Sequence, residues 1–295
     1  MSLSVKKSVP DAVSRRALLS RIAFTVPGLF YVAIFMVVPL SFIAVYSLMQ
    51  RGTYGGVVAT YSLDNYVRAV DPIYLKVLIT SIIIAAVTTV LALIIGYPVA
   101  YAMTLLPRRW QSIMLMLIVL PFWTNFLIRT YAWILLLNTE GIINKALMGI
   151  GLIDMPLKVL YTPPAVVVGL LYGYLPLMIL PIYSALERID PTLREAAINL
   201  GATRRETFRQ ITLPLSLSGA MVGSIFVFVP SVGNFIVPEL LGGGKTVMVG
   251  NLVRDQFLKA RDWPFGSVLA LSLVVMLVVL FAIQARVSRR VSGAS

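Results

Sequence analysis

The sequence contains no cysteine and no histidine. Without cysteine there is no disulfide framework to read. With both residues missing, the usual transition-metal ligands and the commonest general base are gone. Hydrolases built on Ser-His-Asp or Cys-His pairs, and zinc enzymes, are therefore excluded, and neither a catalytic constellation nor a metal-ligand set is identified. Charge is scarce as well: 13% of the 295 residues are charged, where soluble domains carry about 25%. None of the 12 carboxylates falls within the long apolar stretches. Proton- and sodium-coupled carriers generally place ionisable groups near mid-membrane, so this absence argues against a motor-independent secondary transporter, which stays as the alternative from another class.

What the chain has in abundance is apolar residues, 59% of the total, with a mean hydropathy of +0.90. A hydrocarbon core of about 30 Å needs about 20 apolar residues in helical form. Six runs of that length occur, at about 22–49, 77–106, 110–137, 165–186, 215–238 and 264–285. Alternation of the kind that marks a transmembrane β-barrel is not seen. The expected fold class is all-α, an integral membrane protein with six transmembrane helices. The first run is too long for a secretory signal and contains Pro27 and Pro39, so it is expected to remain as the first span. Residues 1–20 read as a basic cytoplasmic tail, 21–290 as one membrane domain with a cytoplasmic loop at 188–214, and 291–295 as a short C-terminal tail.

The net charge of +13 is distributed by loop. Lys6, Lys7, Arg15, Arg16 and Arg21 precede the first run, and Arg108 and Arg109 separate the second from the third. Arg188, Arg194, Arg204, Arg205 and Arg209 lie between the fourth and fifth, and Arg286, Arg289 and Arg290 follow the sixth. The alternate loops are longer and hold most of the acids. By the positive-inside rule both termini and the 188–214 loop face the cytoplasm. The basic residues orient helices, and no nucleic-acid partner is expected.

Between the runs, 51–75 reads as a loop with a short interfacial helix. Segment 138–163 holds a short helix through Ile142, Ile143, Ala146, Leu147 and Ile150, and 239–264 another through Val249, Leu252, Val253 and Phe257. Gly96 and Pro98, Gly169 through Pro181, and Pro230 with Gly233 punctuate spans two, four and five. Such breakers either interrupt helices around a cavity, where transporters often bind substrate, or simply kink them for packing. Gly169 and Gly173 form a GxxxG packing signal. Gly242-Gly243-Gly244-Lys245-Thr246 has the end of a phosphate-binding loop, but the first glycine of that pattern is replaced by Glu239, so ATP is not expected to bind this chain.

The stretch EAAINLGATRRETFRQITLP, Glu195 to Pro214, is polar amid apolar neighbours. Asp190 and Pro191 suit a helix start. Leu193, Ala196, Ala197 and Leu200 then form one apolar stripe, and Gly201 suits the left-handed position that ends a helix. Thr203 and Glu206 spell a capping box for a second helix, with Phe208, Ile211, Thr212 and Leu215 on its inner face. Helix, glycine turn, helix is the expected elbow.

The spacing EAA-x3-G-x9-I-x-LP resembles the cytoplasmic loop of binding-protein-dependent ABC importer permeases. Glu195, Ala196, Ala197, Gly201, Ile211, Leu213 and Pro214 fill all its specified positions. At about 7% per position, chance agreement is of order one in 10⁸ per window. The stretches SLDNYVRAVDPIYLKVLITS, IIGYPVAYAM, LPFWTNFLIRTYAW and FIVPELLGG extend the likeness to the spermidine/putrescine branch. The resemblance implies a type I permease fold whose elbow docks into a separate ATPase. It also implies ATPase subunits, a second permease making a hetero-dimer, and an extracytoplasmic solute-binding protein as partners. No cofactor is implied on this chain, ATP and Mg belonging to the ATPase.

For the substrate pathway, Asn125, Arg129 and Trp133 recur every four residues on the third run, with Arg129 open to a gating or a structural role. Trp123, Tyr131, Tyr172 and Tyr174 are aromatic faces for a cation or belt residues. Polyamine permeases often carry an acid in the Gly-(Asp/Glu)-Phe stretch of span five. Here Gly233-Asn234-Phe235 carries an amide, so an opine, amino-acid derivative, phosphonate or thiamine stays open as the solute.

Overall fold

The computed structural model describes the backbone of residues 11–292, and side chains over 25–282 together with Arg286. In chain order the elements are α1 (Asp11–Ser47), a hairpin of β1 (Met49–Arg51) and β2 (Val57–Tyr61), α2 (Asp64–Ala69), α3 (Pro72–Thr104) and α4 (Arg108–Val119). There follow α5 (Phe126–Leu137), α6 (Ile142–Gly149), α7 (Pro163–Glu187), α8 (Pro191–Asn199), α9 (Arg204–Thr207) and α10 (Leu213–Gly233). The chain closes with α11 (Ile236–Gly242), α12 (Val249–Leu258) and α13 (Trp263–Ser292). Among the described residues six segments are long and apolar enough to cross a membrane.

Three helices, α3, α7 and α10, make the core. Met178 is its keystone: a Cβ on Gly96 of α3 would stand 3.0 Å from Met178 Cγ, and one on Gly223 of α10 would stand 2.9 Å from its Sδ. Gly219 brings α10 against the Pro181 carbonyl and Ala185 of α7, where a Cβ would approach to 2.6 Å. Small residues four apart admit this close backbone approach, which supplies the dispersion contacts that hold membrane helices together. Gly219 and Gly223 carry the same GxxxG spacing as Gly169 and Gly173. Hydroxyls buried in the core are satisfied locally: Thr88 donates to the Ile84 carbonyl at 2.8 Å and Ser231 to that of Val227 at 2.6 Å. Around this core α1 and α13 pair with each other, and α1 leaves Leu29, Phe30 and Phe35 exposed, a surface suited to acyl chains.

Of the two readings open for the glycines and prolines of spans two and four, the packing one holds, since α3 runs unbroken through Gly96 and Pro98 and α7 through Pro176 and Pro181. Three expectations are corrected. The interruption falls instead in the third run, 110–137, which is three pieces: α4, a 3-10 turn over Leu120–Trp123, and α5. Pro121 lacks the N–H that would continue α4, and Asn125 starts a new helix by accepting from the amides of Leu127 and Ile128. Segment 51–75 contains a β-hairpin that was not foreseen; Gly55 and Gly56, at φ +92° and +81°, make its turn. The N-terminal stretch expected as a tail is helical from Asp11, while residues 1–10 and 293–295 of the two expected tails lie outside the described residues.

Candidate functional site

At one end of the bundle the elbow is built as its sequence requires. Asp190 caps α8 by accepting from the Thr192 amide at 2.9 Å. Gly201, at φ +89°, closes it, with the Gly201 amide bonded to the Ile198 carbonyl and that of Ala202 to Ala197. The capping box is complete: the Glu206 amide donates to Thr203 Oγ1 at 3.3 Å, and the Thr203 amide donates to Glu206 Oε2 at 2.8 Å. Backbone donors bonded to the carboxylates of Asp190 and Glu206 hold both below the usual carboxylate range.

The second arm differs from expectation. It does not stop at Pro214; α9 passes through a π-turn over Phe208–Thr212 directly into α10, giving one helix from Arg204 to Gly233. Pro214 offers no N–H to the carbonyl of residue 210 and its ring crowds that carbonyl. Wider π spacing relieves both conflicts. The inserted residue also rotates the inner face: Thr207, Thr212 and Ser216 are buried, while Leu215, expected inside, is exposed. Phe208 anchors the arm to α3, its ring lying 5.2 Å from Tyr101 and 6.1 Å from Tyr97, both edge to face. Tyr97 and Ser216 share a hydrogen bond of 2.7 Å.

The first arm, α8, buries no residue against the described chain. Only Arg194 and Ala197 are half-buried; Glu195 and Ala196 face out, Leu193 and Ile198 are exposed, and Leu200 is 88% exposed. The predicted stripe of Leu193, Ala196, Ala197 and Leu200 is thus turned away from the chain's own core, Ala197 excepted. Of the remaining motif residues Ile211 is half-buried, and Leu213 and Pro214 are exposed beside α8's end of the bundle. The elbow thus presents an exposed amphipathic helix, joined through the Gly201 turn to the helix that continues into the fifth span.

The predicted pathway residues are only partly brought together. Arg129 and Trp133 share a face of α5; Trp133 packs edge to face on Tyr172 at 5.5 Å, and the Arg129 guanidinium lies 5.8 and 5.6 Å from the rings of Phe122 and Phe126. Arg129 Nε is buried without a hydrogen-bond partner among the described residues. Asn125 does not join them, since its side chain is used as the cap of α5. Trp123 is 82% exposed on the 3-10 turn, and Tyr131 is exposed on another face. Asn234 sits where α10 gives way to α11. Its Nδ2 donates to Tyr174 Oη at 2.8 Å and its Oδ1 accepts from the Val237 amide at 2.9 Å. The glycines of the false phosphate loop serve packing, for Gly243 at φ +56° lies against the Tyr161 ring, where a Cβ would clash.

Missed altogether was a polar cluster at the end opposite the elbow. Glu239 pairs with Arg254, whose guanidinium also contacts Asp255 at 2.7 Å and lies 5.5 Å from the Phe235 ring centre. Asn251 Nδ2 donates to the Phe235 carbonyl at 2.7 Å and to Glu239 at 3.3 Å. These partners are distant enough in sequence that only tertiary packing reveals them.

A bundle of six apolar spans with a protruding elbow fused to its fifth span defines a multi-pass membrane protein. The chain belongs to the family of binding-protein-dependent transport system inner membrane components, whose profile matches residues 92–293. It is similar to the spermidine/putrescine transport system permease protein PotB of Escherichia coli (strain K12), 38% identical over 259 residues that cover 88% of this chain and 94% of that one. The protein of the same description from Haemophilus influenzae is 37% identical over 255 residues, covering 86% and 89%. A chain of a bacterial alginate ABC transporter, solved in complex with alginate pentasaccharide-bound periplasmic protein, superposes with TM-score 0.77 at 16% identity, covering 96% of this chain and 98% of that one. At that identity the likeness concerns the fold alone. The chain is the permease subunit of an ABC importer.

Proposed function

We propose that this permease imports polyamines of the spermidine/putrescine type, as one of two different membrane subunits joined to ATPase subunits. The elbow end and both termini face the cytoplasm, and the opposite end receives substrate from an extracytoplasmic binding protein. ATP and Mg are held by the ATPase and not by this chain. The observation that carries the mechanism is the exposed α8 beside a helix unbroken from Arg204 to Gly233. Closure of the ATPase on α8 moves the continuous helix that follows the Gly201 turn, and the Gly219–Gly223 seam and Phe208 pass the motion to α7 and α3. Swinging a two-state equilibrium from 1:99 to 99:1 requires about 5.5 kcal/mol of differential stabilisation, so the ATPase must grip the elbow firmly.

The polyamine assignment draws on the extended similarity to the two spermidine/putrescine permeases. One observation favours the second reading, a different small organic solute such as an opine or amino-acid derivative. Asn234 stands where an acid is expected, and its amide is already committed to Tyr174. Two measurements decide. Because the chain has no cysteine, Ala196→Cys provides a unique thiol, which is expected to cross-link to the ATPase in the assembled complex; absence of any such adduct in an active complex would exclude the docking role. Uptake of labelled putrescine into proteoliposomes, dependent on ATP and on the binding protein, is expected. Uptake that survives ATP depletion would point to a carrier instead.

A further inference from the structure

Arg254 occupies the kind of place a substrate ammonium group would want. Its guanidinium rests on the Glu239 carboxylate and against the face of Phe235. A carboxylate joined to an aromatic face is an effective seat for an organic cation, because the ring quadrupole adds to the charge attraction. We propose that Glu239 and Phe235 form a cation seat at the mouth opposite the elbow, and that Arg254 is a tethered occupant which an incoming primary ammonium group displaces.

Four features support displacement over a fixed structural bridge. The Glu239 side chain is 41% accessible while that of Arg254 is 19% accessible, so the carboxylate is reachable with the guanidinium in place. The anionic partner is open to water, and an ion pair screened on that side holds its cation weakly, so one cation exchanges for another at modest cost. Arg254 has a second acceptor, since its Nε and Nη2 both contact Asp255 Oδ1, at 2.9 and 2.7 Å. Leaving Glu239 therefore does not strand the arginine's charge. Burial works to raise the Asp255 carboxyl, but hydrogen bonds from Arg254 and Lys259 outweigh it and hold the group below its ordinary value, ready as a charged acceptor. Finally, the seat is fixed by Asn251, which bonds both Glu239 and the Phe235 carbonyl. It adjoins the break between α10 and α11, the type of irregular backbone that lines solute paths in transporters. The apolar spans of this chain hold no carboxylate, so the carboxylates it can offer a polycation lie at their ends.

This inference rests on the polyamine reading, and the experiment separates the two. The complete complex, with its partner subunits, is reconstituted in nanodiscs without binding protein and titrated with labelled putrescine. The tethered guanidinium competes only as strongly as its weak ion pair holds it, so Arg254→Gln is expected to tighten putrescine binding by about threefold. Glu239→Gln is expected to lose it. The double variant Glu239→Gln/Arg254→Gln decides between mechanisms: a structural bridge tolerates joint neutralisation and keeps wild-type binding, whereas a seat without its carboxylate binds as poorly as Glu239→Gln alone. Unchanged affinity in Arg254→Gln, or wild-type binding by the double variant, overturns the proposal. If Arg254→Gln does not assemble, the double variant decides alone on the same two outcomes. Should the wild-type complex with binding protein fail to take up putrescine, the polyamine reading itself falls and this seat with it. Uptake by wild type with unaltered variants removes the seat only.

Discussion

Replacing Phe208 by alanine separates the side-chain route out of the elbow from the covalent one. The Arg204–Gly233 helix still joins the elbow to span five, but its edge-to-face contacts with Tyr97 and Tyr101 are lost. Truncating a core phenylalanine costs about 3–5 kcal/mol; Phe208 is half-buried, so about 2 kcal/mol is expected. Taking these contacts as made only in the state that ATPase closure favours, at about 1.4 kcal/mol per factor of ten, the coupling constant falls about 30-fold. Of the roughly 5.5 kcal/mol that a full swing needs, about 3.5 remains, which carries a 1:99 equilibrium to roughly 3:1 instead of 99:1. About a quarter of ATP-driven cycles then fail to move substrate. Adding Ser216→Ala removes the hydrogen bond to Tyr97, worth about 1 kcal/mol, and brings productive cycles below half. The assay is the ratio of solute taken up to ATP hydrolysed in proteoliposomes, with permease content matched. A Phe208→Ala/Ser216→Ala complex that keeps the wild-type ratio would refute the reasoning, because the drive would then bypass the contact between α9, α10 and α3.

Two further predictions concern stability and pH. Gly223→Val places a Cβ within 3.0–3.2 Å of the Met178 backbone, which cannot shift cheaply, so it is expected to destabilise the permease by about 1–3 kcal/mol. Gly233→Ala, with nothing within 4 Å of the new atom, serves as the control, and thermal unfolding in detergent reads the difference. The carboxyls of Asp190 and Glu206 are lowered from ordinary values of 3.8 and 4.5. Their capping contribution is therefore fully present above about pH 4.5 and disappears only as pH falls through the lowered values. Hydrogen-exchange protection at the Thr192 and Thr203 amides should be unchanged from pH 8 to pH 6, and loss of protection within that range would contradict the capping assignment.

The sequence by itself determined several features that depend on local order. Six apolar stretches, the Asp190 cap, the Gly201 turn and the Thr203–Glu206 box each follow from a residue and its near neighbours, because backbone hydrogen bonds and transfer from water act at that range. It also placed the elbow motif, whose residues are contiguous. Breakers were ambiguous, since a glycine or proline tolerates a break without requiring one: Pro98 sits inside a continuous helix, while Pro121 ends one.

Tertiary structure decided what depended on distant partners. The π-turn before Pro214 rotated the inner face from Leu215 to Ser216, and Tyr97 confirms that rotation from 119 residues away. Glu239, Asn251, Arg254 and Phe235 became one cluster only because α11 and α12 fold back beside the end of α10. Charge and aromatic faces act over a few ångströms of space, and their order along the chain carries no record of that proximity.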